Sequence, residues 1–302
     1  MRRRRKSNFA ERGCCLTFNF SVKIYRSIDV KLNHMNKTNV LTYIYSEAKS
    51  VVISGDIHGD FNELVFKLCI QYQMTDTLLV VAGDCGFGFE KKEYYEQMLR
   101  KNAKRLNEAN NWIVFVRGNH DNPAYFDGII FNHKRMVCVP DYAVLQACDH
   151  NILCVGGAIS IDRKIRMESW NKKIAKYGFD SNLNHGISRA CYWPDEPPVF
   201  DEKKMDAIRS ACSIDIVISH TAPSLCELQT KTGLTIWAVD DPALLTDVQS
   251  ERAIMDQLLQ RLQADRHPVS HWYYGHFHQS WHAAIGGILY RMLDIMEFCM
   301  IY

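Results

Sequence analysis

Short apolar runs alternate with amphipathic helical patterns in the first half of the chain. Three runs rich in aliphatic residues, at 51–54, 78–82 and 112–116, have the length and composition of buried strands. The segments that begin at Phe61 and Tyr94 carry apolar residues at helical spacing. Strands that alternate with helices form a parallel sheet with helical crossovers, so this half of the chain predicts an α/β fold.

The pattern changes after residue 135. Three further runs, at 136–139, 142–145 and 151–155, read as strands with little helix between them, which predicts a second sheet packed on the first. The stretch at about 157–200 has no clear period and is predicted to be a long loop insertion. Its aromatic residues argue against full disorder.

The last third returns to helices and strands. It predicts helices over 202–212 and 254–262 and buried strands over 214–218 and 271–274, and the segment 288–295 is predicted to close the second sheet.

The first 48 residues lack this regularity. Residues 1–48 are predicted to be an N-terminal tail that is poorly ordered or not native to the working protein, because Met35 offers a second start. Residues 49–302 are then one domain. The basic run at 2–6 reads as a solvated end of the tail rather than a targeting segment.

Composition excludes several classes of protein. The chain has 302 residues, 47% of them hydrophobic and 23% charged, with a net charge of +2. Beyond the short basic N-terminus, nothing indicates a nucleic-acid partner. The 11 cysteines are an odd number without C-x-x-C spacing, which favours reduced thiols and a cytoplasmic location. No apolar run approaches the roughly 20 residues of a membrane span, so no membrane partner is expected.

Polar residues follow directly after five of the predicted strands. Asp56 and His58 lie two residues apart in a Gly-rich turn at the end of the first strand, where α/β folds place their sites. Taken alone, such a pair is more often turn chemistry, with the Asp capping the next helix. The other strand ends carry Asp84, Asn119, His120, His220, His276 and His278.

This set offers oxygen and nitrogen ligands and no cysteine. It suits Mn, Fe, Zn or Co, and it has more members than one ion uses. We therefore predict a pair of divalent ions about 3.5–4 Å apart, bridged by a carboxylate. Mn is the ion expected to serve in vitro.

The motifs together resemble those of the calcineurin-like metallophosphoesterases. They read GDIHGD (55–60), GDCG (83–86), GNHD (118–121), SHTAP (219–223) and GHFH (275–278), and the resemblance extends over about 51–295. It implies a two-sheet β-sandwich flanked by helices, with four layers in the order α/β/β/α. It implies one ion held by Asp56, His58, Asp84 and His278, and another held by Asp84, Asn119, His220 and His276, with Asp84 bridging.

The chemistry that the resemblance implies is hydrolysis of a phosphoric ester. Two cations polarise the phosphoryl group and make a bridging hydroxide available near neutral pH, and this hydroxide attacks phosphorus in line with the leaving oxygen. His120 matches the family position thought to protonate the leaving group, a role that suits imidazole. Asp121 is a candidate for orienting His120, and a helix N-cap is the alternative role.

The chain departs from the protein-phosphatase branch of that family. The branch continues its second motif as GDxVDRG, whereas this chain reads GDCGFGF, with Phe87 in place of Asp and Gly88 in place of Arg. Arg117 matches an Arg that the branch uses on phosphate. Arg163 or Arg166 is a candidate second cation from the insertion, and ordinary surface charge is the alternative for both.

The sequence therefore predicts a metal-dependent hydrolase that cleaves a phosphomonoester or phosphodiester in a small phosphorylated substrate. A protein Ser/Thr phosphatase is the alternative enzyme, weakened by the GDCGFGF sequence. A catalytically silent metal-binding scaffold is the alternative outside enzymes. The filled set of ligand positions argues against such a scaffold.

Overall fold

Two mixed sheets form the centre of the fold, and helices cover the outer face of each. The computed structural model describes residues 40–177, 192–226 and 233–301. In chain order the strands are β1 (Thr42–Ile44), β2 (Ser50–Ser54), β3 (Thr77–Val81), β4 (Trp112–Phe115), β5 (Asn132–His133), β6 (Met136–Cys138), β7 (Ala143–Ala147), β8 (His150–Val155), β9 (Ile216–Ser219), β10 (His271–Tyr274), β11 (Trp281–Ile285), β12 (Ile288–Met292) and β13 (Phe298–Ile301).

The helices connect these strands across the outer faces. They are α1 (Phe61–Phe66), α2 (Lys92–Glu108), α3 (Arg163–Tyr177), α4 (Glu202–Ala211), α5 (Leu234–Ala238) and α6 (Leu244–Ala264). A π-helical turn, Lys67–Gln71, continues α1, and a single 3-10 turn spans Pro123–Tyr125.

The strand order explains where the polar strand ends meet. The six-stranded sheet runs β13-β2-β3-β4-β6-β5, and its β2, β3, β4 and β6 are mutually parallel. The seven-stranded sheet runs β1-β7-β8-β9-β10-β12-β11, and its β8, β9, β10 and β12 are parallel. Each sheet therefore gathers the carboxyl ends of its central strands along one edge.

The core follows the two-residue period of the strands. In β2, Val51 and Ile53 face the opposite sheet, whereas Val52 packs against Leu64 of α1 on the outer face. The outer face of the seven-stranded sheet packs in the same way, where Val217 of β9 joins a cluster with Leu258 of α6. The two outer clusters and the shared inner one give the α/β/β/α layers that the sequence predicts.

The strands that lead into the predicted site form where they were expected. The runs predicted at 51–54, 78–82 and 112–116 correspond to β2, β3 and β4, each within one residue at either end. These strands are fully buried over most of their length, so they read as continuous apolar runs.

The insertion differs from its prediction, because α3 replaces an irregular loop. The side chain of Ile165 is 60% exposed and that of Met167 is 40% exposed. None of the α3 residues whose burial is described is buried, so that part of the helix lacks the apolar stripe that makes a helical period visible in a sequence. Residues 178–191 of the predicted insertion lie outside the described residues.

The predicted tail overlaps the fold at one point. β1 lies within the range 1–48 and pairs in parallel with β7 at the edge of the seven-stranded sheet. Residues 1–39 lie outside the described residues. Every cysteine in the described ranges is a free thiol. Among the described helices, none combines the length and the apolar character that crossing a bilayer requires.

Candidate metal centre

The five polar strand ends converge where the two sheets adjoin. Asp56, Asp84 and Asn119 follow β2, β3 and β4 of one sheet, and three of the histidines follow β9 and β10 of the other, namely His220, His276 and His278. His220 joins the two edges, because its Nδ1 lies 2.8 Å from the Ala82 carbonyl oxygen and its Nε2 lies 2.8 Å from Asn119 Oδ1.

Glycine at the strand ends permits this close approach. Gly118 lies against the backbone and carboxylate of Asp84, and Gly275 lies against the carboxylate of Asp56, with no space for a Cβ at either position. Each of these glycines directly precedes a polar strand-end residue. Close packing therefore explains why glycine precedes Asn in one motif and His in another.

Four of the seven predicted ligands have left-handed backbone angles. The φ values are 45° at His58, 47° at Asp84, 68° at His276 and 51° at His278. For residues other than glycine this region costs about 1–3 kcal/mol each, and such strain concentrates at functional sites. The fold therefore holds these side chains in one place against a local backbone preference.

The first ligand group comprises Asp56, His58, Asp84 and His278. One ligand atom from each lies within 4.8 Å of the others. His278 Nε2 lies 2.9 Å from Asp56 Oδ2 and 3.0 Å from His58 Nε2. Ligands bound to one ion at about 2.1 Å and at right angles to each other would be about 3 Å apart.

The hydrogen bonding of Asp56 fits a metal site as well. Its Oδ2 is buried and makes no well-directed hydrogen bond, although His278 Nε2 is near, while Oδ1 accepts from the His276 backbone N–H at 3.0 Å. A buried carboxylate oxygen without a donor is costly unless a cation supplies the missing interaction. The residues of this group therefore fit a divalent ion.

The second ligand group comprises Asp84, Asn119, His220 and His276. Ligand atoms of Asp84, His220 and His276 lie within 4.8 Å of one another. Asn119 Oδ1 lies 2.8 Å from His220 Nε2, which is also 3.2 Å from Asp84 Oδ1. Asp84 belongs to both groups, as a bridging carboxylate requires.

Burial and mutual charge set the protonation of the cluster. Burial lowers the pKa of His276 to about 3, which leaves a neutral imidazole with a free lone pair. Burial opposes charge on His220 too, but Asp84 and Asp56 outweigh it and raise its pKa to about 9. Burial likewise opposes ionisation of Asp84, yet the neighbouring histidines hold its pKa well below the ordinary value. Burial opposes ionisation of Asp56 too, but the neighbouring His278 and His220 outweigh it and lower its pKa, so both carboxylates stay ionised.

His120 lies beside the ligands rather than among them. Its Nε2 is 3.8 Å from Asp84 Oδ2 and 3.2 Å from Arg166 Nη2. Burial is the main reason that its pKa falls to about 4, and Arg166 adds to the effect. The ring is thus neutral near pH 7 and lies within 4 Å of the carboxylate shared by the two ligand groups.

Asp121 has neither of the two roles predicted for it. Its carboxylate accepts from the backbone N–H groups of Cys85, Gly86, Phe87 and Gly118 at 2.7–3.0 Å. Asn122, not Asp121, caps the following 3-10 turn, and no hydrogen bond joins Asp121 to His120 in the described part of the chain. Asp121 fixes the loop that carries Asp84, which corrects the predicted orienting role.

Arg117 is not positioned to bind phosphate. It is 5% exposed. Its guanidinium donates to the carbonyl oxygens of Asp195, Glu196 and Pro197 and pairs with Asp141 at 2.9 Å. These partners occupy the donors that phosphate would need, so Arg117 anchors a turn of the insertion instead.

The two candidate cations of the insertion, Arg163 and Arg166, have different partners. Arg163 is bound by Asp241 and Asp247, each at 2.6 Å, and so does not supply a cation to the ligand cluster. Arg166 is paired with Asp162 at 2.7 Å and reaches His120. The ion pairs of Arg163 occupy the guanidinium that the predicted substrate contact would need, whereas Arg166 lies beside His120.

Three polar residues that support the ligand cluster, Ser160, Glu196 and Glu251, had no signal in the sequence. Ser160 accepts a hydrogen bond from Asn119 Nδ2 at 2.8 Å, and Glu196 accepts from Ser160. Glu251 accepts from Thr221 Oγ1 at 2.6 Å beside His220. Each reaches the site through contacts between distant parts of the chain, and neither a motif nor a strand end marks them.

A match to a known family covers most of the chain. A family model described as calcineurin-like phosphoesterase matches residues 49–280. A search of curated proteins found no match.

Solved structures resemble the chain at low identity. A dimetal phosphatase from Danio rerio is 12% identical with a TM-score of 0.44, covering 82% of this chain and 87% of that one. The phosphopantetheinyl hydrolase of Mycobacterium tuberculosis is 13% identical with a TM-score of 0.36, covering 82% and 89%. A cold-active protein-tyrosine phosphatase of a Shewanella species is 15% identical with a TM-score of 0.36, covering 86% and 76%.

The family model spans well over half of the chain, and its range includes all five motifs whose side chains converge in the structure. The chain therefore belongs to the calcineurin-like phosphoesterase family.

Proposed function

We propose that this protein hydrolyses a phosphomonoester or phosphodiester in a small phosphorylated molecule, with two divalent ions as cofactors. The observation that carries the proposal is the convergence of two ligand groups on a shared Asp84. Bound there, two divalent ions would polarise a phosphoryl group and supply hydroxide near neutral pH. Mn, Fe, Zn and Co all suit the oxygen and nitrogen ligands, and Mn is our choice for assays.

The protein's own groups have separate tasks around the phosphoryl group. His120 and Arg166 stand side by side at the edge of the ligand cluster. A bound phosphoryl group would bring negative charge next to His120 and raise its pKa from the low value set by burial. His120 can then carry the proton that the leaving oxygen takes up, while Arg166 holds a non-bridging phosphoryl oxygen.

The GDCGFGF segment favours a small substrate over a phosphoprotein. Phe87 is fully buried in an aromatic cluster, with its ring centroid 4.8 Å from that of Phe131. Gly88 lies against Trp193 and Asn122. Neither position offers the charged groups that the protein-phosphatase branch has there. In our proposal Arg166 of the insertion supplies the positive side chain that contacts the phosphoryl group. The free thiols fit the proposed cytoplasmic location.

The test combines metal analysis with a substrate panel. Protein loaded with Mn²⁺ is assayed on a generic phosphomonoester, a phosphodiester and a phosphopeptide, and its bound metal is counted in parallel. We expect two ions per chain and faster turnover of the small esters. A clear preference for the phosphopeptide contradicts our choice of substrate. Two bound ions without hydrolysis across the panel would instead favour a silent metal-binding scaffold.

A further inference from the structure

The Asn119 side chain lies between the ligand cluster and the insertion. It is 1% exposed. Its Oδ1 faces His220 Nε2 at 2.8 Å, and its Nδ2 donates to Ser160 Oγ at 2.8 Å. A side-chain amide turned through 180° would aim its NH₂ group at the cluster, and an NH₂ group cannot bind a cation. Metal binding by Asn119 therefore depends on which way its amide is held.

Glu196 fixes the direction of the hydrogen bond to Ser160. Its carboxylate accepts from Ser160 Oγ at 2.6 Å and from the Ser160 backbone N–H at 2.8 Å. A hydroxyl group has one proton to donate. When Glu196 is ionised, that proton points at its carboxylate and the Ser160 oxygen can only accept, so Asn119 must present its NH₂ group to Ser160 and its oxygen to the cluster.

Arg117 fixes the position of Glu196. Its guanidinium binds three consecutive backbone carbonyls of the turn that carries Glu196, the shortest of these bonds being 2.8 Å to the Glu196 oxygen. Arg117 precedes Asn119 by two residues at the end of β4, so one short segment anchors both ends of the chain of contacts. Ser160 and Glu196 are 1% and 0% exposed, which protects these bonds from water.

We infer that Glu196 and Ser160 are positioning residues that hold the Asn119 amide with its oxygen toward the second ligand group. The inference rests on the proposed two-metal site. Groups that orient a metal ligand from behind typically contribute 10- to 100-fold to metal affinity or activity. Here they contribute direction as well as rigidity, because the carboxylate decides which atom of the amide faces the ion.

Metal titration of the metal-free protein tests this without reference to turnover. Wild type, Ser160→Ala and Glu196→Gln are titrated with Mn²⁺ by calorimetry at pH 8.5, above the pKa of about 8 to which burial raises Glu196. We expect two sites in wild type, and in each variant one site weakened by about 10- to 100-fold with the other unchanged. Asn119→Ala should weaken the same site, and adding Ser160→Ala to it should cause no further loss.

Ser50→Ala is the matched control. It removes a hydroxyl hydrogen bond, 2.9 Å to Thr77 Oγ1, at the end of β2 remote from Asp56, and both sites should titrate as in wild type. If wild type binds two ions and both test variants bind them with wild-type affinity, the positioning role is refuted while the proposed function stands. Equal weakening of both sites, or additive losses in the double variant, also refutes it.

If wild type itself fails to bind two ions, the proposed function falls instead. Should Ser160→Ala not fold, Glu196→Gln decides the matter, since it keeps the side-chain volume and changes only the acceptors.

Discussion

The strand ends and the insertion both build the site, but they do so through different kinds of contact. Each ligand from the strand ends is placed by its own motif, where a buried strand stops at a tight turn. The insertion acts through side chains that meet across long stretches of sequence, such as Ser160 with Asn119 across 41 residues and Arg166 with His120 across 46. In the proposed function the strand ends hold the two ions, and side chains of the insertion orient a ligand and contact the substrate.

The largest effect should follow from a change at the strand ends. Asp84→Ala removes the one carboxylate shared by both ligand groups, so we expect loss of bound metal and a fall in turnover on the order of 10³-fold or more. Metal analysis and assay of the purified variant measure both. Asp206→Ala, which removes an exposed carboxylate paired with Arg261, is the control and should change neither. Retention of both ions by Asp84→Ala would contradict a bridging role.

A second strand-end change separates proton transfer from metal binding. His120→Ala should keep both ions and lower kcat by about 10²- to 10⁴-fold on substrates with poor leaving groups, because the proton donor is lost. Substrates whose leaving groups need no proton serve as the internal control and should lose far less. Equal losses on both kinds of substrate would remove His120 from the acid role.

The two regions also differ in how far the sequence predicts them. A strand end places its ligand by local rules: a buried run, then a glycine, then a polar residue, as in Gly83 and Asp84. The contacts of Arg117, Glu196 and Arg166 join segments that are distant in the sequence. No local sequence pattern predicts which distant segments the fold brings together.

The corrections to the predicted site have the same origin. Arg117 was expected on phosphate because of its place beside the third motif, yet the returning turn at 195–197 takes up its donors. Asp121 was expected on His120, yet four backbone N–H groups of two neighbouring loops converge on it. In both cases most of the partners lie in distant parts of the chain, so no local pattern predicts them.

A matched pair of arginines in the insertion tests its part in substrate binding. Arg166→Ala should raise KM, because a hydrogen bond to a charged group contributes about 1.5–3 kcal/mol, roughly 10- to 100-fold. Arg163→Ala removes the same group from the same helix, where it is bound by Asp241 and Asp247, and should leave KM unchanged. Steady-state kinetics on one small phosphoester compare them. Equal effects of the two variants on KM would show that α3 supports the structure and that Arg166 makes no specific contact with the substrate.

The smallest expected effect concerns the pH dependence of stability, and it isolates Glu196. Burial raises the pKa of Glu196 from its ordinary 4.5 to about 8, against the opposing hydrogen bonds from Ser160. A raised acid pKa means that the fold favours the protonated form. The stability that Glu196 contributes is thus fully present below its unfolded pKa and is lost as pH rises through about 8.

Glu196→Gln cannot ionise, so it removes this loss. Denaturant unfolding of the metal-free proteins at pH 5 and pH 8.5 should show the variant gaining stability relative to wild type as pH rises. Ser50→Ala, which alters no titrating group, should keep a constant difference from wild type over the same range. If the free energies of unfolding of Glu196→Gln and wild type change in parallel with pH, Glu196 has a polar environment in the folded protein. That result would contradict its burial between Ser160 and the turn that Arg117 holds.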